Sequence, residues 1–164
     1  MASGTDLVVF TPLMYVPTAT NFATLSMRNR HPILVFDPST DWNSIFPGLL
    51  PHSYSGGGIT LEIHFSSVST TGAVRWQAAF ERIGTVLDVD ADSFATAQSA
   101  GTTVPATTGL LAVTTILFTD GAQIDSLAAG EAFRLKINRD ADGTSGTDDS
   151  TGVAELHRVL LRET

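Results

Sequence analysis

Two stretches of alternating residues constrain this chain more than anything else in it. Ile59, Leu61, Ile63 and Phe65 form one apolar series, and Val74, Trp76, Ala78 and Phe80 form a second. Thr60, Glu62, His64, Arg75, Gln77 and Glu81 fall between them and are polar or charged. Successive side chains of a strand point to opposite faces, so each series buries one face and wets the other. Trp76 keeps phase with the core series and is expected inside. The break at residues 66–72 is rich in Ser, Thr and Gly, which suits an open hairpin loop joining the two strands. Gly56, Gly57 and Gly58 precede the first series. They enter a strand and no lysine follows, so they read as backbone freedom and not as a phosphate loop.

Further strands follow at regular spacing. Residues 7–10, 22–27, 32–37, 93–97, 110–119 and 133–137 each carry a short apolar or alternating pattern. Residues 153–161 fit either period, and their length and the loop before them favour a strand. Residues 39–53 break the regularity, because Pro47, Gly48 and Pro51 bar a helix longer than a turn or two. Residues 120–130 are the one place for a short helix. Eight or nine strands in this order predict an all-β, antiparallel sandwich or jelly roll. With 164 residues and no internal linker, one domain is expected over residues 21–164, led by an arm or edge strand over residues 1–20.

Composition narrows the function. The net charge is −8, from 17 acidic against 9 basic residues, which argues against nucleic acid as a partner. No run approaches the roughly 20 apolar residues that cross a bilayer, so no membrane is implied. The absence of cysteine removes disulfides and thiolate metal sites.

Catalytic, cofactor and metal signatures are missing from the pattern. No Gly-x-Ser-x-Gly elbow is present, and His31, His52, His64 and His157 show no paired ligand spacing. Asp88, Asp90 and Asp92 are spaced like the first ligands of a calcium loop, but Ser93 and Ser99 stand where the glycine and glutamate would be needed. The segment reads as a solvated acidic loop, with calcium as the other reading; residues 140–149 read as an exposed hairpin connection. Trp42 and Tyr54 flank the irregular segment, where they suit an aromatic sugar platform, a subunit contact or ordinary packing.

The blocks PHSYSGGGITLEIHFSS, GAVRWQAAFERI, DADSFATAQSAGTTVPATTG, FTDGAQIDSLAAGEAFRLKINRDADG and HRVLLRET give this chain a further character. Across residues 22–164 it resembles small jelly-roll structural proteins of tailed bacteriophages. Tyr54-Ser55-Gly56-Gly57 before a strand and Ala129-Gly130-Glu131 before Phe133-Arg134-Leu135 are the most specific parts. The resemblance implies a non-enzymatic virion protein: a capsid decoration or cement protein that binds the major capsid protein and its own copies, as a homotrimer. The contact surface expected for that role is the apolar amino-terminal stretch Leu7, Val8, Val9, Phe10, Leu13 and Tyr15, together with Trp42. The alternative is a tail-fibre or tail-associated module that binds a receptor or carbohydrate, with a glycan as partner.

Overall fold

The computed structural model describes residues 4–164 and contains ten strands in two antiparallel sheets. These are β1 Asp6–Phe10, β2 Thr24–Arg28, β3 His31–Phe36, β4 Asn43–Leu49, β5 Ile59–Ser67, β6 Ala73–Ile83, β7 Gln98–Thr103, β8 Ala112–Phe118, β9 Ala132–Arg139 and β10 Ala154–Glu163. The larger sheet runs β2-β3-β10-β5-β8, with β1 also paired to β10; the smaller runs β4-β9-β6-β7. The two face each other as an all-β sandwich, the jelly-roll class expected from the strand spacing.

The alternating series do what their period requires, but not as neighbours. Ile59, Leu61, Ile63 and Phe65 and, from the other sheet, Val74, Trp76 and Phe80 are all fully buried. However, β5 pairs with β10 and β8, and β6 with β9 and β7. The expected hairpin is therefore a crossover between sheets. Two strands that each bury one face can meet across a core as well as edge to edge, and residues 66–72 are long enough to span the roughly 10 Å between stacked sheets. Trp76 closes that gap: its ring lies 4.9 Å from Phe36 and 5.5 Å from Phe65, both edge-on and both from the opposite sheet.

Other elements depart from expectation for local reasons. Residues 39–53 hold a full strand, β4, despite Pro47. It is the outermost strand of its sheet, where a missing N–H costs no ladder bond. Gly48 of that strand leaves room for two rings, since a Cβ there would lie 2.6 Å from Phe133 Cζ and 2.8 Å from Phe10 Cζ. The helix expected at residues 120–130 is only a 3-10 turn at Ala122–Ile124. Asp125 and Ser126 stop it with left-handed φ of 56° and 54°. The strand expected at residues 93–97 begins instead at Gln98, and residues 84–97 form a long strap.

The amino-terminal stretch is a strand of the larger sheet, paired from Asp6 to Phe10 with β10. Phe10 is fully buried and so cannot serve as a contact surface. Leu7, Val8, Tyr15 and Trp42 are half-buried against the core, whereas Val9 and Leu13 are exposed.

Candidate functional site

Because Val74, Trp76, Ala78 and Phe80 face inward, the odd-numbered residues of β6 face out, and the register carries that outer face across the smaller sheet. Asn43 of β4 pairs with Asn138 of β9, Asn138 with Gln77 of β6, and Gln77 with Ser99 of β7. Four hydrogen-bonding side chains therefore form one row across all four strands. Asn138 Nδ2 donates to Gln77 Oε1 at 3.3 Å, and Asn43 Nδ2 donates to the Asn21 carbonyl at 3.3 Å. Asn and Gln each offer two donors and an acceptor, so half-buried Asn43 and Gln77 keep unused capacity, whereas Asn138, 6% exposed, serves to hold Gln77.

Charged residues and one aromatic ring border this row. Lys136, one register step along β9, is the only lysine in the sequence. Arg75, a step the other way, is held by two hydroxyls, Ser145 Oγ at 3.3 Å and Ser99 Oγ at 2.8 Å. The strap at residues 84–97 folds over the far end of the face and is pinned where Ala95 N donates to the Phe80 carbonyl at 2.8 Å. This cover explains why outward-facing Ala79 is only 1% exposed. The strap delivers Phe94, half-buried, with Arg134 Cζ 5.3 Å and Lys136 Nζ 5.2 Å from its ring centroid. Arg134 also pairs with Glu81, whose burial under the strap requires a partner.

A second concavity, a cleft of about 340 Å³, lies at one end of the sandwich between Tyr54, Ser55, Asp120, Gly121, Ser126 and Leu127. Its polar groups mostly satisfy one another. The Tyr54 hydroxyl donates to Asp120 Oδ1 and accepts from Gly58 N, each at 3.1 Å. Burial, reinforced by the Asp120 carboxylate, pushes the Tyr54 hydroxyl pKa up to about 12. Glu163 accepts from the Ser55 hydroxyl and amide, which hold its carboxyl below the usual range. With Tyr54 only 7% exposed, and Trp42 before β4 while Tyr54 follows it, the two rings build no shared platform.

The outer face of the larger sheet carries a Ser, a His and a Glu in contact, but not as a nucleophilic relay. Ser66 Oγ donates to Glu155 Oε2 at 2.7 Å and lies 2.9 Å from His157 Nε2. The serine sits between acid and imidazole, so the acid does not orient the base as a triad requires. Arg28 completes the group, 2.5 Å from Glu155. Burial lowers the His157 pKa against the opposing pull of Glu155, and His31 and Arg28 lower it further. Burial and Arg158 do the same for His64, against the pull of its partner Glu62. Both imidazoles thus take up protons less readily in the fold than in the unfolded chain, so stability is complete above the ordinary histidine range, near pH 6.5, and falls as pH drops through it. Denaturant midpoints are expected to decrease between about pH 7.5 and about pH 5.5, and to decrease less in His157→Asn. A midpoint unchanged over that interval contradicts the lowered pKa of these two half-buried histidines.

The acidic loops are tied internally. Asp88 accepts from the amides of Asp90, Ala91 and Asp92 in a compact turn, and the three carboxylates do not converge. Among the described residues, only Asp41, Asp140 and Asp142 form a group of three acidic or imidazole side chains with ligand atoms within 4.8 Å of one another. Asp41 accepts from Ala141 N and Asp142 N, and Asp140 accepts from Thr144 and Ser145, so these oxygens shape the loop after β9. Burial and the neighbouring carboxylates of Asp142 and Asp140 raise the Asp41 pKa.

Sequence reasoning placed Gln77 on a wet face and Phe133, Leu135 and Ile137 on a core face. It missed the row itself, because the partners of Gln77 depend on which strands pair. It also missed Phe94, which reads as a strand residue until the strap carries it over the sheet.

No protein-family model matches the chain, and no curated protein is similar to it in sequence. Solved structures match in fold. The xylan-binding CBM22-1 domain of Paenibacillus barcinonensis Xyn10C is 10% identical, with a TM-score of 0.52 over 99% of this chain and 96% of that one. A family 35 carbohydrate-binding module from an environmental isolate is 13% identical, with a TM-score of 0.53 over 94% and 92%. An arabinose-bound α-L-arabinofuranosidase reaches a TM-score of 0.53 at 10% identity over 91% of this chain but 23% of its own. This chain therefore shares the sandwich of carbohydrate-binding modules from end to end.

Proposed function

We propose that this chain is a non-catalytic glycan-binding module whose ligand lies on the outer face of the smaller sheet. The observation that carries the reading is the row Asn43, Asn138, Gln77 and Ser99 beside the Phe94 ring. Sugar hydroxyls both donate and accept, as amide side chains do, and an aromatic ring offers an apolar surface to the C–H side of a pyranose. The fold shared with a xylan-binding domain and a family 35 carbohydrate-binding module supports a glycan as the ligand. The capsid-cement reading loses its motive with Phe10 in the core, since the stretch meant to reach a neighbour is a strand of the sandwich itself. Within the virion setting suggested by the sequence, a glycan-binding module belongs on the tail, where a phage meets its host's surface.

A glycan array tests the reading. The protein is expected to bind a defined set of polysaccharides. Gln77→Ala, removing one neutral hydrogen-bonding group, weakens that binding by about tenfold or less. Phe94→Ala should weaken it further, and both variants keep the parent melting temperature to within the small shifts typical of surface changes. Binding that survives both substitutions unchanged places the ligand elsewhere.

A further inference from the structure

The charge on this face is opposite to that of the chain. Arg75, Arg134 and Lys136 face outward from the smaller sheet against Glu81 and, at the Arg75 end, the loop carboxylate Asp140, on a protein whose net charge is −8. Glu81 is taken up by Arg134, and the strap's Asp92 lies at that same end. Nothing comparable reaches Lys136. Lys136 makes no ion pair among the described residues; its ammonium rests on Phe94, a neutral ring. Arg75 donates to two serine hydroxyls, one of which, Ser145 Oγ, donates in turn to Asp140, so a carboxylate lies one hydroxyl away; Asp148, beside the Arg75 backbone amide, is engaged by Arg139. Lys136 pairs with Ala79, four residues along β6 from Arg75, which sets the two Cα atoms roughly 14 Å apart at a rise of about 3.4 Å per residue and a strand spacing of about 4.8 Å. The amide row runs between them.

An unpaired lysine at one end of a row of hydroxyl-matching amides, with an arginine tied to a carboxylate only through a hydroxyl at the other, is a poor surface for a neutral polymer and a good one for an anionic polymer. We infer that the glycan held here is acidic: its sugar hydroxyls meet Gln77 and Asn43, and its carboxylate or sulfate groups pair with Lys136 and, across the row, with Arg75. This rests on the glycan-binding proposal and adds the ligand's charge to it. Lys136 supplies a point charge beside the ring, and Arg75, two of whose nitrogens already donate to serine hydroxyls, adds a second positive charge across the row.

Affinity electrophoresis of the intact chain separates the cases, using polygalacturonate, its carboxyl-reduced neutral counterpart, dextran sulfate and double-stranded DNA as probes. Retardation is expected in polygalacturonate, dextran sulfate or both, which tells carboxylate from sulfate, and not in the neutral polymer. Raising salt tenfold should weaken it, since exposed charge pairs are screened. Lys136→Gln should reduce affinity by about fivefold, with Lys136→Arg restoring most of it. Equal retardation by the reduced polymer, or full affinity in Lys136→Gln, overturns the acidic-ligand inference and leaves the glycan proposal standing. Binding to DNA as strong as to the polysaccharides overturns it as mere polyanion attraction. No retardation by any of the polysaccharides overturns the acidic-ligand inference, and the glycan array then decides the glycan proposal.

Discussion

Replacing Trp76 with alanine is expected to cost about 3–5 kcal/mol of folding stability, through lost transfer energy and the cavity left behind. The indole is fully buried and packs edge-on against Phe36 and Phe65 of the opposite sheet, so its removal opens a hole where the two layers meet. Ordinary domains are held by roughly 5–15 kcal/mol, and Trp76→Ala should therefore unfold at much lower denaturant concentration or fail to fold. Gln77→Ala, one residue away on the opposite face, should barely move the midpoint while still weakening glycan binding. The pair makes a sharp contrast, readable by circular dichroism. An unchanged midpoint in Trp76→Ala contradicts the facing of β6 and every assignment made from it.

Asp148→Ala is expected to be as damaging for a different reason. Arg139 and Asp148 form a buried ion pair at 2.7 Å, with side chains 0% and 1% exposed. Arg139 also donates to the Gly152 carbonyl at 2.7 Å and to the Ser150 carbonyl, so one guanidinium gathers the loop that links β9 to β10. Removing the carboxylate strands a cation in the interior, a change that typically costs about 3–5 kcal/mol. Replacing both partners with apolar residues of similar volume should recover much of that loss, because no lone charge is left behind. If Asp148→Ala and the double replacement are equally unstable, the carboxylate matters for loop shape and not for compensating charge.

Much of the fold was legible before any coordinates, and what was not has physical causes. The period-two series of β5 and β6 named their buried faces correctly, because alternation is a property of each strand alone. Pairing is not. Whether the chain turns back beside itself or crosses to a second sheet depends on what else offers an apolar face, and β8, β9 and β10 came later in the sequence. Pro47 hid β4, since a proline forbids only the ladder bond that an outermost strand does not make. The site was less legible still. The row Asn43, Asn138, Gln77 and Ser99 draws on four strands 22 to 95 residues apart, and only the register aligns them. Lys136 was visible as the only lysine, yet its missing carboxylate partner is a fact of three dimensions.

The account is tested most directly by following backbone amide resonances of the labelled protein as it is titrated with a polysaccharide that it retains. Shifts are predicted at Gln77, Ser99, Lys136 and Asn138 and at Phe94 of the strap, with the Tyr54–Asp120 cleft and the outer face of the larger sheet unmoved. Shifts confined to the cleft, or none on the smaller sheet at saturation, would contradict it.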